Sequence, residues 1–348
     1  MKRIVFSGIA ICFSILVTMQ ACKPDPNLDV VADAPFGFTV PEGWPKPFYN
    51  FENNAVTKPG FELGRKLFYD PRLSRTNEVS CGSCHQPSAA FAQLDHPISH
   101  GVEDKLGTRN SPSIFNMNWH TSFFWDGGVN HLESQPINPI QNPVEMDETL
   151  DNIIAKLKAD ANYPKMFKAA FGDEMINSQR IFKAFAQFMG MMVSSNAKYD
   201  KYKRGEAGAS FTAAEQAGYT VFKNNCATCH VEPLFTDFSF RNNGLAPTSA
   251  NDTGRAHITQ DAADKYKFKV PSLRNLRYTW PYMHDGRYNN LDDVLNHYTK
   301  GITQSGTLDP LLKDGIQLTD QEKSDLLAFL NTLNDEEFVK DPRFQEVN

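Results

Sequence analysis

Two pentapeptides carry residues whose types and spacing could do chemistry: Cys81-Gly82-Ser83-Cys84-His85 and Cys226-Ala227-Thr228-Cys229-His230. Two thiols three positions apart on a tight turn can reach both vinyl groups of one porphyrin. The histidine that follows can turn an imidazole nitrogen onto the iron. This is the attachment signature of a c-type haem. A Cys-x-x-Cys pair alone would also suit half a zinc site or a redox dithiol. Histidine directly after the second cysteine, twice in one chain, favours two covalent haems. The rest of the chain must then hold and insulate both porphyrins and decide what their free iron faces touch.

The elements that would position these motifs show a weak repeat. Phe61 to Phe68 precedes the first motif and Ala214 to Phe222 the second, each with helical spacing and a glycine, Gly64 or Gly218, followed four residues later by phenylalanine. That is the start of a small cytochrome c domain used twice, so the expected fold is mainly α, with two cytochrome c-like domains. Leu150, Ile153, Ile154 and Leu157 form one apolar stripe; Ile181, Phe182, Phe185, Phe188, Met189 and Met192 form another, read as core packing. Thr319 with Glu322 forms a capping box opening a helix that carries Leu326, Leu327, Phe329, Leu330 and Leu333. The polar, glycine-containing stretch 194–210 sets the expected domain boundary near residue 205, giving domains 48–205 and 206–348. Residues 91–143 lack periodicity but hold Phe115, Trp119, Phe123, Phe124 and Trp125, which predicts a packed, functional loop.

Length and composition narrow the class. The chain has 348 residues, enough for two or three domains, and a net charge of −6 with no basic run, which gives nucleic-acid binding little support. Four of six cysteines lie in the two motifs, leaving Cys12 and Cys22 in the leader, so a disulfide framework is not expected. Lys2-Arg3 followed by an apolar run from Ile4 to Met19 reads as a secretory signal peptide over residues 1–22. Ala21-Cys22 resembles a bacterial lipoprotein cleavage site, with Met19 and Gln20 imperfect neighbours; ordinary cleavage or a retained anchor stay open. Residues 23–47, rich in Pro and Asp, read as a tether.

Several further segments resemble the bacterial di-haem cytochrome c peroxidase and MauG superfamily across roughly residues 55–335. They are Arg109-Asn110-Ser111-Pro112-Ser113, Phe124-Trp125-Asp126-Gly127, Gln135, Pro143-Val144-Glu145-Met146, Pro271-Ser272-Leu273-Arg274-Asn275 and Pro281-Tyr282-Met283-His284-Asp285-Gly286. The resemblance implies a peroxidatic N-terminal haem on His85 and an electron-transfer haem on His230. It implies Glu145 as the acid-base, Gln135 as an amide lining the peroxide site and Trp125 as the aromatic between the haems. It also implies a calcium ion at the domain interface, held by Asn110, Thr279 and Pro281, two of them through backbone carbonyls; hard oxygen donors suit calcium. Taken singly, Glu145 reads as a surface carboxylate, Gln135 as a turn amide and Trp125 as a core aromatic. Gly128 departs from the family, which usually has arginine there, and leaves the charge around the haem edges open.

The sixth ligands divide the superfamily. At the position of Tyr298 the peroxidase branch carries methionine and the MauG branch tyrosine. Residues 291, 294, 295 and 298 share one helical face, so Tyr298 is expected inward and His297 well away from that face. Met283, His297 or a plain core tyrosine remain alternatives. His100 lies where the peroxidase branch has a histidine that caps the first haem when fully oxidised; His96 competes, and a solvated loop histidine is the plain reading. The expected activity is peroxide reduction by a periplasmic or membrane-tethered enzyme fed by a small c-type cytochrome or cupredoxin, with a homodimer left open. The alternatives are a MauG-like enzyme that oxidises a partner protein through high-valent iron, and a di-haem electron carrier with no substrate.

Overall fold

A computed structural model describes residues 36–94, 96–248 and 250–347. The expected signal peptide and the Cys22 anchor lie outside the described residues. The fold is mainly helical, with two cores. Helices α1 (Lys58–Phe68), α2 (Leu150–Ala159), α3 (Tyr163–Phe171) and α4 (Ser178–Gly190) build the first. Helices α5 (Ala213–Asn225), α6 (Leu291–Lys300) and α7 (Asp320–Asn331) build the second. Strands β1 (Phe240–Arg241) and β2 (Phe268–Lys269) form a short antiparallel pair. Among the described residues, no helix is long and apolar enough to cross a membrane.

The repeat has a packing cause. α1 crosses α4 and α5 crosses α7, each at a glycine. A Cβ on Gly64 would lie 2.0 Å from the Ala184 carbonyl oxygen, and one on Gly218 would lie 1.8 Å from that of Asp325. Both crossings bring backbones closer than any side chain allows, which outweighs the intrinsic cost of a mid-helix glycine. The phenylalanine four residues on, Phe68 or Phe222, is buried beneath each crossing.

Caps set several helix starts. Thr57 accepts from the Gly60 amide, and Thr212 from Glu215. Thr319 accepts from the Glu322 amide, while its own amide donates to the Glu322 carboxylate. The Phe/Met stripe of α4 is core, and Leu326, Phe329, Leu330 and Leu333 bury the inner face of α7 against α5. The long segment 91–143 is packed by its aromatics: Phe115, Trp119 and Phe123 are buried.

The expected tether 23–47 needs correcting where it is described. From Phe36 on the chain is packed rather than free: Phe38 and Trp44 both contact Trp119, and the Trp119 indole donates to the Pro45 carbonyl at 2.8 Å. The Arg274 guanidinium stacks on Trp44 at 4.8 Å. Aromatic residues dispersed among Pro and Gly carry this packing, and composition alone hides it.

Candidate functional site

Both Cys-x-x-Cys-His motifs open on one large cavity of about 720 Å³. Residues 81–84 form a single helical turn, with Ser80 before it and His85 closing it. His85 Nδ1 donates to the Phe91 carbonyl at 2.8 Å, and His230 Nδ1 faces the carbonyls of Phe235 and Pro271 at 3.2 and 3.1 Å. A carbonyl can only accept, so each Nδ1 carries the hydrogen and Nε2 keeps its lone pair. That is the tautomer and orientation of a histidine ready to ligate a metal. Burial lowers both imidazole pKa values, which keeps them neutral.

The thiols speak against a reactive dithiol. Burial pushes Cys81 and Cys226 up to about 12 and Cys84 up to about 11. Burial holds them as thiols rather than thiolates, although the Arg241 charge draws Cys229 the other way. A cavity walled by His85, Cys226, Cys229 and His230, with Cys81 and Cys84 on the turn that carries His85, fits covalently attached porphyrin.

The two ends of the cavity differ chemically. Glu145 lines it, and its charge bears on both Cys81 and Cys84, so this carboxyl lies beside the first motif. Burial raises its pKa, while a 2.7 Å hydrogen bond from the Asn142 amide holds part of that rise back. Asn142 terminates the short helix Ile137–Gln141, and its backbone carbonyl accepts from the Glu145 amide at 3.0 Å. Gln135, just before that helix, lines the same cavity and is buried.

At the other end Leu291, Val294, Leu295 and Tyr298 of α6 all line the cavity. Burial raises the Tyr298 pKa, and its hydroxyl receives a long contact from the Asn243 amide at 3.5 Å. Cys226 and Cys229 both act on it electrostatically, which puts the phenol near the second motif. Met283 lines the cavity too, with Sδ 3.7 Å from the same Asn243 amide. His297 is buried outside the cavity wall, its Nε2 donating to the Asn243 carbonyl at 3.0 Å.

Trp125 lines the same cavity. Its indole donates to the Asn110 carbonyl at 2.8 Å, and its own carbonyl accepts from the Lys269 amide at 2.8 Å. Asn110, Thr279 and Pro281 also line the cavity. The Asn110 carbonyl accepts from Trp125 and its amide nitrogen donates to the Pro97 carbonyl at 3.1 Å, which leaves its side-chain oxygen as the donor best placed for a cation. Among the described residues no group of three or more His, Cys, Asp or Glu is arranged around a metal position.

His100 is not brought to the cavity. Its ring is partly exposed and pairs with Asp104 at 2.5 Å, with His96 5.0 Å away ring to ring; only its carbonyl approaches Cys84 Sγ, at 3.9 Å. The missing arginine at Gly128 has a physical counterpart. Arg255 donates to the carbonyls of Asp126 and Gly127 at 2.8 and 3.0 Å, so a cation from the other half of the chain sits on this segment.

Sequence reasoning missed Asn142, Arg255, the Asp252 partner of Arg109 and the buried pair Lys269–His120. Arg109 pairs with Asp126, 17 positions on, and with Asp252, 143 positions on. Only Asn142, three residues before Glu145, left a local signal, as an Asx residue beside a proline turn.

Comparison with known proteins then bears on the whole chain. Residues 58–208 match the family described as di-haem cytochrome c peroxidase, and residues 215–334 match cytochrome c. The methylamine utilization protein MauG of Methylorubrum extorquens is 38% identical over 305 residues, covering 86% of this chain and 84% of that protein. The cytochrome c551 peroxidase of Nitrosomonas europaea is 34% identical over 276 residues, covering 78% and 79% respectively. The crystal structure of a MauG-like protein associated with microbial copper homeostasis superimposes with a TM-score of 0.80 at 35% identity, covering 89% of this chain and 99% of that one.

Proposed function

This chain belongs to the di-haem cytochrome c peroxidase/MauG family, an oxidoreductase with two haem c groups, and from that premise we propose that it reduces hydrogen peroxide to water. The observation that carries the reading is the asymmetry of the cavity: a proton-handling carboxyl stands beside the first motif and a buried phenol beside the second. Haem bound at each site would supply an iron that exchanges electrons, and His85 would hold the one that meets peroxide.

The overall conversion consumes two electrons and two protons per peroxide and yields two waters. Glu145 would take a proton from one peroxide oxygen and return it to the departing one. A raised carboxyl pKa suits a group that must both accept and give. Gln135, buried on the same wall, would hold a peroxide oxygen without adding charge. Tyr298 would hold the second haem iron as a hard anionic ligand and so lower its reduction potential. Trp125, bonded through its carbonyl to Lys269, would offer an aromatic path for electrons between the two.

Asn110, Thr279 and Pro281 would hold a calcium ion through one side-chain amide oxygen and two backbone carbonyls, completed by water. The domain boundary is assigned near residue 205, the location to the periplasm, with a lipid anchor at Cys22, and the donor to a small c-type cytochrome or cupredoxin. His100 would reach the first haem only by leaving Asp104.

The second reading, oxidation of a partner protein, is favoured by Tyr298 at the ligand position and by relatives named MauG. Peroxide turnover with reduced cytochrome c, measured on the purified di-haem protein and on Glu145→Gln, tests the proposal. Rapid turnover in the parent that the variant lacks supports it. Negligible turnover in both, with oxidation of a protein partner instead, transfers the assignment to the second reading.

A further inference from the structure

Lys269 is 9% exposed and lines the cavity, yet it takes part in none of the ion pairs among the described residues. An ammonium has three N–H donors. One reaches the Ser122 carbonyl at 2.7 Å and one reaches His120 Nδ1 at 3.3 Å. The third has no protein acceptor among the described residues. His120 is held as that acceptor by rings from both halves of the chain, stacked on Phe123 and tilted against Phe238. Burial, and then the Lys269 charge, push the His120 pKa well below its usual value, so it stays neutral and its Nδ1 can accept. Asp126, the acidic group whose charge reaches Lys269, is committed to Arg109 at 2.5 Å.

A buried ammonium without an anion is costly and is ordinarily paired; burial lowers the Lys269 pKa to about 7, and an anion at its free N–H would hold the charge in place. Here the protein spends two acceptors on orienting the cation and none on neutralising it. We propose that Lys269, seated on Ser122 and His120, binds the carboxylate of a porphyrin propionate and raises the reduction potential of that haem. Because its backbone amide is bonded to the Trp125 carbonyl, the charge is fixed to the residue that bridges the two haems. Lys269 is thus a positioning and tuning residue, not a catalytic one. Either porphyrin could supply the propionate, and the experiment tells them apart. The inference rests on the two-haem reading, which haem content tests separately.

The test uses the holoprotein, with Lys269→Met and Lys269→Arg. Midpoint potentials are read for each haem by spectroelectrochemistry, and propionate-bending bands by resonance Raman. Removing a positive charge beside a haem disfavours the reduced form, so Lys269→Met lowers one of the two potentials and shifts that haem's propionate band; the haem that responds is the one bound. A fully loaded Lys269→Met with both potentials and both bands unchanged overturns the proposal. Should Lys269→Met fail to take up haem, Lys269→Arg decides. A guanidinium keeps the charge but changes the contact, so a shifted propionate band supports the assignment and an unshifted one overturns it.

Discussion

Glu145→Gln isolates one step of the proposed chemistry. Glutamine has nearly the volume of glutamate, and its carbonyl oxygen can still accept from the Asn142 amide, the 2.7 Å contact that orients the side chain. What it loses is the capacity to take a proton from bound peroxide and return it. Positioned proton transfer contributes about 10²–10⁴-fold, which corresponds to roughly 3–5 kcal/mol of barrier at about 1.4 kcal/mol per tenfold. The assay is peroxide-dependent oxidation of a reduced small c-type cytochrome at saturating peroxide, with haem content and the ferric spectrum as controls. The expectation is a fall in kcat of about a hundredfold or more, with the haem spectrum little changed. A fall of less than about threefold in a fully loaded variant would refute the role of Glu145, because a proton-transfer contribution that small lies far outside the usual range.

Two further outcomes follow from the geometry. Burial raises the Glu145 pKa and the Asn142 hydrogen bond lowers it, so Asn142→Ala should raise it further. As a base Glu145 must begin ionised, and activity falls as pH drops through its pKa; in Asn142→Ala that acid limb should move to higher pH, and an unmoved limb would separate Asn142 from the mechanism. Gly218→Ala would force a Cβ into the Asp325 carbonyl and part α5 from α7. It should cost roughly 1–3 kcal/mol in urea unfolding followed by haem absorbance, whereas Gly306→Ala, with no neighbour within 4 Å of the added Cβ, should be close to neutral.

Much of this was legible in the chain. The haem motifs are local, since covalent chemistry fixes their spacing, and the helices of both cores carry apolar stripes and caps that local rules detect. The glycine repeat was visible as a pattern, but its cause, two backbone crossings, needed the partner helices α4 and α7. What stayed hidden was non-local or uncommonly buried. The Arg109–Asp252 pair spans 143 positions, and Lys269 reaches the Ser122 carbonyl across 147. A lysine in a strand reads as a solvated charge until its surroundings are known. The Pro-rich segment before residue 48 read as a tether because composition does not show that Trp44 and Phe38 meet Trp119. His100 carries the opposite lesson: a motif position marks it as a ligand, while its ring is engaged by Asp104 four residues on.

The central claim is that one iron keeps an accessible face beside Glu145 while the other is closed by His230 and Tyr298. Low-temperature electron paramagnetic resonance of the fully oxidised holoprotein, recorded for the parent and for Tyr298→Phe, reads both sets of axial ligands at once. The prediction is a high-spin signal from the haem on His85 and a separate low-spin signal that disappears or changes its g-values in Tyr298→Phe. Two low-spin signals that both persist unaltered in Tyr298→Phe would contradict it.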